Sequence, residues 1–106
     1  MNVGGGDRAR EETFALRKTL RICEDVVYRN LQGEAVILNL KTNMYCGLDP
    51  VGTRIWELIL EHRSLDKVLA SLMVEYEVTE DQGAQDILHF VQVLQENKLI
   101  EMLEPA

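Results

Sequence analysis

Residues 33–60 read GEAVILNLKTNMYCGLDPVGTRIWELIL. Two apolar runs, Ala35–Leu40 and Met44–Leu48, flank Lys41-Thr42-Asn43. Their apolar, partly β-branched and aromatic character predicts two strands. Asn43 tolerates the left-handed backbone that a hairpin loop requires. Asp49 is placed to cap a helix whose first position is Pro50, where a missing N–H costs nothing. That helix is predicted to reach about Glu61, with Val51, Ile55, Trp56, Ile59 and Leu60 on its apolar stripe. A strand able to present a free edge thus leads directly into a helical bundle.

Working outward, Val26–Leu31 (VVYRNL) is a further strand, joined to the next by a Gln32-Gly33 turn. Three short strands in succession imply an antiparallel meander. Ala35–Leu40 is apolar at nearly every position, which predicts cover on both faces. Downstream, Ser64 is expected to cap a second helix with Leu65, Val68, Leu69, Leu72, Met73 and Tyr76 inward. Thr79 is expected to cap a third, in a capping box completed by Gln82, with Ala84, Ile87, Leu88, Val91 and Leu94 in the core. Leu99-Ile100 docks the chain end as a short extended segment. Upstream, residues 1–20 read as a flexible arm: Gly4-Gly5-Gly6 is followed by a charged stretch with a weak helical pattern over 7–20. The expected architecture is α+β and winged helix-turn-helix-like, a three-stranded meander followed by three helices, with the domain at 21–104.

At 106 residues the chain holds one domain. No apolar run approaches the ~20 residues of a membrane span, and the N-terminus lacks a secretory apolar core, so no membrane role and a cytoplasmic setting are expected. Cys23 and Cys46 are far apart and outside any CxxC, and only His62 and His89 could join them at a metal, so reduced cysteines and no metal are expected.

The charge is uneven. Residues 1–63 carry nine Lys/Arg and nine Asp/Glu, while residues 64–106 carry two lysines and nine acids, the whole of the net −7. A winged-helix shape raises the possibility of DNA binding. The third helix, however, begins with Glu80, Asp81 and Asp86 and has no cation before Lys98, so it lacks the charge to hold phosphates and no nucleic-acid partner is expected.

Nothing in the sequence marks a catalyst: there is no HExxH, P-loop, GxGxxG or nucleophile signature. Asp86 and His89, three apart on one helix, read as an exposed pair. The chain is expected not to be an enzyme and to need no cofactor.

Two features instead suggest a peptide site. Phe90 and Val93 form a second apolar strip beside the core stripe of the third helix, either a widened core face or the wall of a groove. Met44–Leu48, if it is the sheet edge, can accept another strand, with Gly47 permitting close approach.

Residues 26–102 resemble the coenzyme PQQ synthesis protein D (PqqD-like) family. The resemblance rests on AVILNLKTNMYCGL, on LDPVGTRIWELI with Leu48, Asp49, Gly52, Ile55 and Trp56, on SLDKVLASLMVEYEV, and on QDILHFVQVLQENKLIE with Asp86, Ile87 and Phe90. It implies a recognition element for the leader segment of a ribosomally made precursor peptide. The leader would add beside the third strand and be presented to a modifying enzyme, a radical SAM protein in PQQ-type pathways or a leader peptidase in lasso-peptide pathways. Carried onto this sequence, the groove would be lined by Met44, Tyr45, Cys46, Gly47 and Leu48 on one side and by Asp86, Phe90 and Val93 on the other. The chain departs from the family pattern in its long N-terminal arm and in Asp at position 49, where many members have Asn. The alternative reading is a winged-helix regulator or scaffold.

Overall fold

The computed structural model describes residues 16–103. Among these described residues, five strands and three helices follow in the order β1 (Thr19–Ile22), β2 (Val26–Leu31), β3 (Glu34–Asn39), β4 (Tyr45–Gly47), α1 (Pro50–His62), α2 (Leu65–Glu75), α3 (Glu80–Glu96) and β5 (Ile100–Leu103). The expected meander is present as an antiparallel sheet in the order β2-β3-β4. Gln32 and Gly33, both at positive φ, form the two-residue turn between β2 and β3. Asn43, at φ 64°, takes the left-handed position in the β3–β4 loop.

A second, two-stranded sheet pairs β1 with β5, Leu20 opposite Met102 and Ile22 opposite Ile100. β1 therefore begins at Thr19, within the stretch read above as an arm, and Leu16 and Leu20 are buried in the core. The helical pattern expected over 7–20 gives way to strand at its described end, and residues 7–15 lie outside the described residues. The reason is tertiary: a four-residue strand is held by a partner at the far end of the chain.

β3 differs from expectation. Ala35, Ile37 and Asn39 are buried, whereas Val36 is exposed and Leu38 half-buried, so the helices cover one face only. Thr53 reaches from α1 to accept the Ala35 N–H at 2.8 Å, which fixes the helix layer against β3. Trp56 is fully buried and lies edge to face with Tyr28, ring centroids 5.8 Å apart.

The helix caps divide. Asp49 Oδ1 accepts the Gly52 N–H at 2.7 Å, as its position predicts. Thr79 Oγ1 accepts from Gln82 N, but the Gln82 side chain turns to Asp86 Oδ1 instead of closing the capping box. Ser64 occupies its cap position without a side-chain cap bond and forms a bridge with Thr19 of β1. The core gathers Ile55, Trp56, Leu58 and Ile59 of α1, Leu65, Val68, Leu69 and Leu72 of α2, and Ala84, Ile87, Val91 and Leu94 of α3. Val51 and Met73, expected inward, are exposed, and Leu88 is half-buried.

Candidate functional site

β4 is one edge of the three-stranded sheet. Its hydrogen-bonding phase follows from its two ends. Asn39 donates its N–H to the Met44 carbonyl at 2.9 Å, and Leu48 donates to the Ala35 carbonyl at 2.8 Å. Antiparallel ladders alternate, so Met44, Cys46 and Leu48 direct their backbone groups at β3. Tyr45 and Gly47 direct theirs away from the sheet, where no strand lies beside them among the described residues.

The side chains alternate in the opposite sense. Cys46 stands opposite the buried Ile37, on the helix side, and packs against the core. Burial pushes its thiol pKa up, so it stays protonated at neutral pH and acts as a small apolar side chain. Tyr45 and Gly47 face the other way. Tyr45 is 69% exposed, and a Cβ added at Gly47 would meet nothing within 4 Å.

Beside this edge lies an open groove of about 410 Å³. Cys46, Gly47 and Leu48 form its strand wall, and Asp86, His89, Phe90 and Val93 form its helix wall. Its floor is the first two turns of α1, from Asp49, Val51, Gly52 and Ile55. Gly52 sits where a Cβ would come within 3.1 Å of Asp49 Oδ1 and 3.5 Å of Phe90 Cε1, so glycine lets α1, the cap and the phenyl ring meet closely.

Six of the eight residues singled out in the sequence therefore line one groove: Cys46, Gly47, Leu48, Asp86, Phe90 and Val93. Met44 and Tyr45 lie outside its lining, Met44 just before β4 and Tyr45 on the opposite face. The floor was not anticipated, because Val51 and Ile55 share the i, i+4 spacing of ordinary core residues. The available signal was their position directly after the edge strand. Asp86 and His89 both stand at the groove, with the carboxylate held by Gln82 at 2.9 Å.

Asn39 ties the sheet to the chain that follows α3. Its Nδ2 donates to the Lys98 carbonyl at 2.7 Å, just beyond α3, while its Oδ1 accepts from Lys41 N at 2.8 Å and Thr42 N at 3.2 Å. One side chain thus ties the β3–β4 loop to the segment between α3 and β5.

The sequence profile of the family described as coenzyme PQQ synthesis protein D matches residues 34–100. The chain belongs to the PqqD family. Two solved structures share this PqqD fold. TbiB1, in complex with the TbiA(beta) leader peptide, is 33% identical and superposes with a TM-score of 0.72 over 76% of this chain and 94% of its own. A lasso peptide synthetase B1 complexed with its leader peptide is 24% identical, with a TM-score of 0.70 over 78% of this chain and 98% of its own. No curated protein matches the sequence. Among the described residues, no helix of this PqqD-family chain is long and apolar enough to cross a membrane.

Proposed function

We propose that the chain is a non-enzymatic chaperone that binds the leader segment of a ribosomally synthesised precursor peptide and presents it to a modifying enzyme. The observation that carries this reading is the β4 edge, with the backbone groups of Tyr45 and Gly47 turned outward beside an apolar groove. A relative at 33% identity, TbiB1, was solved with a leader peptide, which supports the same class of ligand here.

In this reading the leader adds antiparallel to β4. Its backbone exchanges hydrogen bonds with Tyr45 and Gly47. The leader residue opposite Cys46 shares that residue's face and points into the groove between Phe90, Val93 and Ile55. Main-chain bonds then supply binding that is indifferent to sequence, and the groove selects an apolar side chain. The modifying enzyme is a radical SAM protein or a leader peptidase, the setting is the cytoplasm, and no nucleic acid or metal takes part.

The test is titration of isotope-labelled protein with the leader of the precursor encoded beside its gene. Amide shifts should cluster at residues 44–48 and 86–93. Shifts confined to other surfaces reject the reading.

A further inference from the structure

The face of the meander turned away from the helices is not the polar surface that one-sided cover predicts. Alternation from the buried Ala35, Ile37 and Asn39 puts Glu34, Val36 and Leu38 on it. The strand register adds Val27, Arg29 and Leu31 from β2, and Tyr45 and Gly47 from β4. Leu31 is 54% exposed and Val36 38%.

Side chains on this face stand in columns across the strands. Val27, Leu38 and Tyr45 fill one column at every strand. The next runs Arg29, Val36, Gly47 and so breaks off at the edge. At that break lies an open hollow of about 380 Å³, whose lining includes Leu31, Glu34, Val36, Gly47 and Asp49. Gly47, Leu48 and Asp49 line both this hollow and the groove on the helix side. The two spaces are therefore continuous around one strand edge.

Nothing within the chain calls for glycine at position 47. Its φ is not positive, and an added Cβ would meet nothing within 4 Å. What glycine supplies there is open space. In sheets, such a gap is covered by a large side chain leaning over from the neighbouring strand. On the β4 edge that neighbour is the incoming strand.

An antiparallel leader on β4 sets one residue opposite Cys46 and the residue before it opposite Gly47. The first faces the groove and the second faces the hollow. We propose that the hollow over Gly47 is a second leader subsite, which takes a large apolar side chain from the residue immediately before the one that enters the groove. This subsite rests on the leader-binding reading above. The side chain crosses Gly47 to meet Val36, with Leu31 as the far wall. Glu34 and Asp49 line the hollow and no Lys or Arg does, so an acidic side chain is disfavoured there. Recognition is then two-faced: adjacent leader residues are read on opposite sides of the same strand.

The experiment is isotope-filtered NMR of the full chain, methyl-labelled at leucine and valine, with the unlabelled leader of the precursor encoded beside its gene as the probe. One leader side chain should contact the Val93 methyls, and the residue before it should contact those of Val36. Replacing that preceding residue by serine should weaken binding about threefold to tenfold in calorimetry, and should remove the Val36 contacts while keeping those at Val93. Leader contacts at Val93 with none at Val36 overturn the subsite and leave leader binding standing. Serine replacement without loss of affinity also overturns it, as do Val36 methyls that contact residues 1–15 or a second copy instead of the leader. Absence of leader contacts at both Val36 and Val93 overturns the leader-binding reading and the subsite with it, so the two failures are told apart.

Discussion

The third helix, α3, carries two apolar strips with opposite duties. Ile87, Val91 and Leu94 are buried and hold the helix to the rest of the core. Phe90 and Val93, on the flank of that stripe, are half-buried and line the groove. One helix therefore serves as scaffold along one line and as candidate site along another. The difference between the strips lies in what they pack against rather than in residue type.

The strongest way to break this comparison is Val91→Asp. An unpaired carboxylate at a core position costs on the order of 4–5 kcal/mol, most of the stability of a small domain. Circular dichroism should find the variant largely unfolded at 25 °C, and a normal melt would mean that the two strips are misassigned. Phe90→Asp should do the reverse. Leader affinity, read by calorimetry, should fall roughly tenfold to a hundredfold, with a smaller loss of melting temperature.

Gly47→Pro sharpens the strand half of the site. It deletes an N–H that points outward and leaves every bond to β3 in place. Leader binding should weaken about tenfold or less, as for one or two main-chain bonds, while the melt stays close to wild type. Asp49→Ala tests the floor. Loss of its bond to Gly52 should cost about 1 kcal/mol and lower the melting temperature by about 4–8 °C.

The smallest effect concerns pH. Arg54 holds Glu75 by two bonds, at 2.6 and 2.8 Å, joining α1 to α2 and lowering the Glu75 pKa. A carboxylate with a depressed folded pKa stabilises above its ordinary range and loses that contribution as pH falls through the folded value. The small melting advantage of wild type over Arg54→Met should therefore be present at pH 7 and vanish in acid.

The meander and the helices were legible because their signals are local. Gln32-Gly33, Asn43 and Asp49-Pro50 each set a backbone angle or a cap within a few residues, and each does so in the structure. Cys46 to Leu48, Phe90 and Val93 were legible as a groove through an edge strand and a surplus apolar strip, aided by the family resemblance. What escaped depends on distant partners. β1 is four residues long, and β5 lies at the other end of the chain. Ser64 is drawn into a bridge with Thr19. Val51 and Ile55 keep helical core spacing although they floor a groove, because helical periodicity marks a face but not what occupies the space in front of it.

The hydrogen bonds of Asn39 and Thr53 carry a mechanical consequence. Asn39 joins the loop before β4 to the chain just past α3, and Thr53 joins α1 to the start of β3. The helix that floors the groove and the chain just past its helix wall are thus each pinned to the sheet by a short polar strut, like a slot milled before anything is fitted into it. A guest strand finds its berth already cut, and little ordering of the protein should accompany its arrival.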